Sequence, residues 1–460
     1  MLDNSNITVN KENTDQDVSK EPYQLIKSLL QKNNIIEIKK ILNDNHAADI
    51  AELIQNLEDI HRNKLLEILR EKFDLEILTY LDENIKDEII EFLGIETLAP
   101  NVKQLDVDDA VDVVEDLEKS DQETVLNSLP IDERKLIEEG LNYPEDSAGR
   151  LMQRNFVSID TEWTVGQTID YLRSNTNLPT DFYDIYLKND QNIIKGTVPL
   201  GRLMSSKREI LLKNIKNKEN RVILANTDQE EVAYIFNKYG LVSAPVVNQD
   251  KELIGSITVD DVVDVIEEER EEDILKLGGV GQADLFSAIT STTKSRFSWL
   301  LVNLLTAIVA SIVIGFFQAS IEKVVALAVL MPIVASMGGN AGTQTLTIAV
   351  RALATKELTA SNALKIVGKE TFVGGVNGFI FALILGTVSG FWFNDKMLGI
   401  IIALAMIINL IIAGLAGTLI PITLNKLRID PALASGVILT TITDVIGFLS
   451  FLGLASILLI

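Results

Sequence analysis

Five long apolar runs fill the last third of this chain, at about 297–317, 324–350, 371–393, 397–422 and 432–460. Inside them the one formally charged residue is Asp444. About 20 apolar residues in a helix cross the hydrocarbon core of a bilayer, so each run reads as a transmembrane helix. A carboxylate at that depth costs about 2.5–3.5 kcal/mol on insertion scales. It is kept where it faces protein or water, and by default it marks a pathway. Gly436, Thr440 and Asp444 follow at i, i+4 and i+8 with Thr443 and Gly447 beside them, a small polar stripe on an otherwise Ile-, Leu- and Phe-rich helix. The plainer alternative is a small-residue packing face with a hydrogen-bonded Asp.

The second run is also unusual. LMPIVASMGGNAGTQTLTIAVRAL (330–353) is interrupted by Pro332 and by SMGGNAGTQ, and Asn340, Thr343, Gln344 and Thr347 share one helical face. Gly338 and Gly339 would allow close approach of a neighbouring helix or local unwinding, both tolerated where a span lines a cavity.

Charge divides the chain. Residues 1–290 hold 59 acids against 31 bases, and residues 291–460 hold 6 against 10, together the net charge of −24. An acidic soluble part therefore precedes a nearly neutral membrane part. Its field repels phosphates, which excludes nucleic acid as a partner, and attracts divalent cations. There is no cysteine, hence no disulfide or thiolate metal site. Histidines occur at His46 and His61 alone, which leaves no set for an enzyme. The N-terminal residues are polar and acidic with no apolar core, so no signal peptide is expected. If the first span enters from the cytoplasm, Lys294, Arg296, Arg351, Lys356, Lys365, Lys369, Lys426 and Arg428 lie inside and Lys323 and Lys396 outside. This bias fits the positive-inside rule. It places the soluble part in the cytoplasm of a multi-pass plasma (cell inner) membrane protein, with the C-terminus outside.

Residues 1–20 read as a disordered tail. From 21 to 143 the apolar spacing is helical, with a repeat at an offset of 60: 46–58 (HAADIAELIQNLE) matches 106–118, and Leu65, Leu66 and Leu69 match Val125, Leu126 and Leu129. This predicts a small superhelix of helical hairpins. Asp108 and Asp112 share one of its faces.

Residues 144–260 change to short strands between helices, in two halves. VSIDTEWTVGQTIDYL (157–172) leads to IIKGTVPLGRLM (193–204), and VILANTDQEEVAYIFNKYG (222–240) leads to APVVNQDKELIGSITVDDVV (244–263). This resembles a tandem of cystathionine-β-synthase (CBS) domains, the second copy more clearly. Such pairs often bind adenine nucleotides, and Thr258 and Asp261 stand at the spacing of their ribose contact, so ATP is a candidate ligand there. The next stretch, 261–295, opens with an acidic helix. Asp261, Asp264, Glu268, Glu271 and Glu272 crowd three turns against Arg270 and Lys276. Like charges at i, i+3 and i+4 destabilise a helix, a strain that hard cations would relieve; a solvated connector is the bland alternative. The membrane domain then occupies 296–460.

The whole arrangement resembles the MgtE magnesium transporters, through MP…GGNAGTQ…RALA in the second span and DPALASG…TTITDVIGF in the fifth. The resemblance implies a multidomain membrane protein: an all-α superhelical N-domain, an α/β CBS pair, a long connecting (plug) helix and a five-helix transmembrane domain. It implies a homodimer in the lipid bilayer, with Asp444 meeting its symmetry mate on the axis, Asn340 lining the pore and Thr440 at the constriction. It implies regulatory Mg²⁺ at Asp261, Asp264, Glu269, Glu272 and Asp273, faced by Asp108 and Asp112 of the N-domain. The expected function is downhill, channel-like Mg²⁺ uptake, closed by intracellular Mg²⁺; no GxxxxGK[ST] motif for ATP hydrolysis is present. The chain departs from its relatives at Thr343, where Asn is common, and at Val437, where Pro is. A proton-coupled carrier in which Asp444 titrates and a CBS receptor whose spans merely anchor it are the rival readings.

Overall fold

The computed structural model describes residues 20–179, 182–280 and 289–459. It divides into two compact units, residues 1–266 and 267–460, described here separately.

The first unit opens with helices that repeat as the sequence predicts. Helices α1 (Ala47–Asn56) and α2 (Asp59–Leu69) recur 60 residues on as α4 (Val107–Glu115) and α5 (Lys119–Ser128), with α3 (Glu83–Leu93) between them. Burial repeats with the chain: Ile50, Ala51, Leu53 and Ile54 point into the core, and so do Ala110, Val111, Val113 and Val114. These residues join one apolar cluster running from Ile26 to Ile137. The two hairpins are thus one design used twice, each burying the i, i+1, i+3, i+4 stripe of its first helix.

The strand-bearing part is a second repeat, at an offset of 59 for the hairpin and closing helix of each half and of 64 for the first strand and helix. Strand β1 (Ser158–Asp160) runs parallel to β2 (Asp184–Lys188), which is antiparallel to β3 (Ile194–Pro199). Strand β4 (Ile223–Leu224) pairs β5 (Ser243–Val247), and β5 pairs β6 (Leu253–Thr258), in the same senses. A helix follows the first strand of each half, α6 (Val165–Ser174) and α8 (Gln229–Tyr239), and another closes each half, α7 (Leu200–Ser205) and α9 (Val259–Leu277).

The registers superpose pair for pair: Asp184 opposes Pro199 as Ser243 opposes Thr258, and both ladders slip one residue later, at Leu187/Lys188 and Val246/Val247. Both hairpins turn on a left-handed residue, Asn192 (φ 57°) and Lys251 (φ 64°). The halves meet across a local dyad, where Ile193 bridges Glu252, its own counterpart. The first half, less regular in sequence, therefore has the same fold as the second.

Helix α9 closes the second half and also carries the acids of the connecting stretch. It ends at Gly278 and Gly279, the latter at φ 68°, a left-handed conformation that glycine adopts without strain. Residues 281–288 of the following polar run lie outside the described residues.

Among the described residues of the second unit five helices are long and apolar enough to cross a membrane: Thr292–Gly315, Ala326–Ala354, Ala363–Trp392, Lys396–Lys426 and Ser435–Leu458. They belong to helices α10 (Ile289–Gly315), α11 (Ala326–Ala354), α12 (Ala363–Trp392), α13 (Lys396–Lys426) and α14 (Pro431–Leu458). The second span runs unbroken through Pro332 and Gly338–Gly339, without unwinding; Gly338 serves a close approach, to Asn409, whereas a Cβ on Gly339 would meet nothing. Helix α13 is the most enclosed, with α11, α12 and α14 around it. It meets α12 backbone to backbone: a Cβ on Gly374 would fall 2.4 Å from the Leu410 carbonyl oxygen. Only a missing side chain permits that approach.

A candidate ion pathway and its acidic control sites

Asp444 sits in the middle of α14, part-exposed in the single chain, and makes no hydrogen bond or ion pair with any described residue. One turn earlier, Thr440 donates its hydroxyl back to the Gly436 and Val437 carbonyls at 3.1 Å. Its proton is thereby committed inward, and the oxygen lone pairs are what it offers outward. Leu439 is fully buried, and so is Thr443, which flanks the polar stripe on its inner side. The helix thus turns apolar bulk inward and keeps its carboxylate and hydroxyl off the protomer's core.

Helix α11 is arranged in the same way. Gly338, Gly342, Thr345 and Leu346 are buried, whereas Asn340, Thr343, Gln344 and Thr347 are exposed. A Cβ on Gly342 would lie 2.9 Å from the Leu439 side chain, so the second and fifth spans touch directly. Thr347 donates to the Thr343 carbonyl, and Asn340 lies 3.4 Å from the Ser336 hydroxyl. Four polar side chains on the uncovered face of a membrane helix need water or protein against them.

In the first unit the acids gather around the start of α4. Burial raises the Asp108 carboxyl well above its ordinary range, and the charge of Asp261 adds to the effect; its Oδ1 is covered and meets no hydrogen-bond donor among the described residues. Asp109 is pushed up to about 7 by burial and by Asp106, and Asp261 to about 6 by burial and by Asp260. The Tyr80 phenol is raised by burial and then by Glu76, Asp109, Asp264 and Asp260, which places Asp264 beside the same patch. Crowded carboxylates, one of them orphaned, are a donor set suited to a hard cation. Among the described residues no three acids stand close enough to hold a bare ion. The arrangement suits an ion that keeps its waters.

Two expected ligands have other partners. Asp112 lies 2.5 Å from the Lys86 ammonium, which also reaches Asp116 at 2.7 Å and is itself buried. Glu272 pairs with Lys276 in the second unit. Lys276 also bonds Asp430 at 2.8 Å. Burial opposes its charge, yet the bonds to Asp430 and Glu272 hold its pKa above the ordinary lysine value. Asp273, part-buried, is raised by burial and by Asp430. Glu269 lies further back on the same helix, also part-buried.

The nucleotide pair is likewise engaged internally. Thr258 donates to Asp261 at 2.8 Å, and the Gln153 amide reaches Asp261 at 3.3 Å. An open cleft of about 390 Å³ lies between the strand-bearing halves at the dyad-related position, lined by Asp184, Thr197, Pro199, Arg221, Leu241 and Ser243 among others. There the counterparts of Thr258 and Asp261 are Pro199 and Arg202, neither of which accepts a hydrogen bond from a ribose through its side chain.

Three polar positions escaped the sequence reading. Asn409 is fully buried in the fourth span, and Glu370, 8% exposed, is buried near the start of α12. Lys86 gave no signal beyond a lysine on an amphipathic helix.

Five membrane helices carrying a mid-span carboxylate and a polar stripe, with a CBS pair in the preceding unit, define a multi-pass membrane protein of the ion-transporting class. Comparison agrees. A family model for the MgtE divalent cation transporters matches residues 331–454, one for the MgtE intracellular N domain matches 45–146, and one for the CBS domain matches 212–268. The magnesium transporter MgtE of Bacillus subtilis is 32% identical over 339 residues, covering 72% of this chain and 74% of that protein. That of Thermus thermophilus is 33% identical over 330 residues, covering 71% and 73%. The crystal structure of the cytosolic domain of the Mg²⁺ channel MgtE in complex with ATP aligns with a TM-score of 0.49 at 27% identity, over 53% of this chain and 99% of that one. The chain belongs to the MgtE family.

Proposed function

We propose that this protein conducts Mg²⁺ down its electrochemical gradient into the cell, as a homodimer whose pathway passes Asp444. The observation that carries this reading is Asp444 itself: a mid-span carboxylate without a partner among the described residues, on a helix whose neighbouring Thr440 offers oxygen and not a proton. Two such carboxylates, one from each copy, would give a local charge of up to −2. Mg²⁺ sheds water reluctantly, so it passes hydrated, gripped through water by Asp444 and by the hydroxyl and amide groups of Thr440, Asn340, Thr343 and Gln344. The exposed polar stripe of the second span supports the presence of a second copy and water on that face.

Regulation follows from the acidic patch. At high internal Mg²⁺ the ion neutralises Asp108, Asp109, Asp261 and Asp264, and the acids further along α9, among them Glu269 and Asp273, favour closure of the pathway. At low Mg²⁺ like charges repel and the pathway opens. The soluble unit faces the cytoplasm and the C-terminus lies outside, as the loop lysines and arginines suggest. ATP hydrolysis plays no part, and nucleotide binding is a separate question that the engaged Thr258–Asp261 pair does not favour.

The test is the Mg²⁺ block of the current. Asp261→Ala combined with Asp108→Ala should shift inhibition to higher internal Mg²⁺ by about tenfold, the scale of a coupling of 1–3 kcal/mol. Unchanged inhibition would remove the regulatory half of this proposal.

A further inference from the structure

Asn409 lies in α13, the helix that the second, third and fifth spans surround, and is 0% exposed. Its side-chain nitrogen donates to the Val334 carbonyl of α11 at 2.8 Å, while Oδ1 meets no donor among the described residues. Two glycines enclose the amide from either side. A Cβ on Gly338 would stand 2.2 Å from Nδ2, and a Cβ on Gly447 would stand 2.8 Å from the same atom. One side chain therefore touches three spans, and two of those contacts exist because a side chain is missing opposite.

Leucine would fill this volume with no polar group to bury, so packing alone does not explain an asparagine here. Its placement does. Gly447 lies three residues after Asp444, and Gly338 lies two residues before Asn340. The bonded carbonyl, Val334, follows Pro332, whose missing N–H leaves the preceding turn of α11 without one of its own bonds. The Asn409 bond ties α11 to α13 in the turn that follows that gap.

We propose that Asn409 is a positioning residue for ion conduction, setting the separation of the second and fifth spans at the level of Asn340 and Asp444. This rests on the reading of Asp444 as part of the pathway. The amide acts as a spacer of fixed thickness between two glycines, and its single directed bond fixes the height of α11 against α13. A site that grips an ion through waters depends on such spacing, because the water shell fits one separation and not its neighbours.

The experiment compares Mg²⁺ flux, as a function of Mg²⁺ concentration and beside Mn²⁺ flux, in liposomes bearing the full-length protein, Asn409→Leu, Gly447→Ala, Gly447→Ala/Asn409→Ala and Asp444→Ala. The expected result is a rise of about 3- to 10-fold in half-saturating Mg²⁺ for Asn409→Leu, the scale of one lost buried hydrogen bond. A reduced preference for Mg²⁺ over Mn²⁺ should accompany it. Gly447→Ala should lose flux, and removing the Asn409 amide in the double variant should restore part of it. Should Asn409→Leu fail to fold, recovery in the double variant decides the matter alone. Unchanged half-saturation and selectivity in Asn409→Leu, or a lower maximal flux alone, overturns the inference, as does a double variant no better than Gly447→Ala. Wild-type flux in Asp444→Ala overturns the pathway reading and this inference together, whereas lost flux there with an unaffected Asn409→Leu overturns this inference alone.

Discussion

Lys276, near the C-terminus of α9, bonds Asp430 at 2.8 Å, and Asp430 is the N-cap of the helix that carries Asp444, accepting from the Ala432 amide at 2.8 Å. One turn back, Glu272 holds the other side of the same ammonium. Leu277, the next residue, packs with Leu346, Val350, Ala432 and Leu439 of the second and fifth spans. The end of the connecting helix is thus fastened to the first turn of α14 by one ion pair and one leucine.

Loss of that fastening should favour the open pathway. Lys276→Gln leaves Glu272, Asp273 and Asp430 close together without their shared cation, and repulsion among them raises the internal Mg²⁺ needed for closure. An increase of about fivefold or more is expected, the lower end of ordinary coupling energies. Patch recordings with stepped internal Mg²⁺ would show it. Unaltered block would reduce Lys276 to a surface charge.

The acids gathered around the start of α4 predict a pH effect of definite sign. A carboxyl with a folded pKa above its unfolded value, about 3.9, takes up a proton on folding. It favours the native state at pH below about 4, and the benefit is lost as pH rises through its folded value. Asp109 near 7 and Asp261 near 6 set that window. In EDTA, hydrogen-exchange protection of residues 107–115, corrected for intrinsic rates, should therefore fall from pH 5 to 7.5. Saturating Mg²⁺ should remove most of the slope. Protection that rises with pH would contradict the assignment.

Lys86 offers a complementary test. Lys86→Met removes the ammonium that neutralises Asp112 and Asp116 while keeping an apolar stem in the core. In EDTA the N-domain should lose about 1–3 kcal/mol, the scale of hydrogen bonds to charged groups. Because Asp112 and Asp116 are then available to a cation, millimolar Mg²⁺ should recover more stability in this variant than in the wild type. Thermal melts of the full-length protein with and without Mg²⁺ compare the two. Equal recovery would show that Asp112 does not respond to cations even when freed.

Much of the architecture was legible because it is periodic. The offset of 60 that pairs residues 46–58 with 106–118 returns in the buried stripes of α1 and α4, and long, mostly apolar runs mark the spans. The candidate pathway residues stand out for another reason: a charge or a cluster of polar side chains inside a membrane run is costly, so its presence is informative. Pairings across the fold were not legible. Asp112 reads as a candidate Mg²⁺ ligand beside Asp108, and nothing in the sequence shows that Lys86 turns inward to meet it; Lys276 reads as one of few compensating bases until Asp430 comes beside it. Asn409 escaped notice since a single amide within an apolar run carries no spacing pattern, and its contacts involve glycines 71 and 38 residues away in sequence. Glu370 fell just outside the apolar run, although the helix begins at Ala363 and encloses it.

The central claim is that ions pass Asp444, and Mg²⁺ uptake into liposomes containing the purified protein, beside Asp444→Ala, tests it most directly. The account predicts uptake by the wild type at low internal Mg²⁺, independent of any imposed pH gradient, and its loss in the variant. Equal uptake by the two proteins would contradict it.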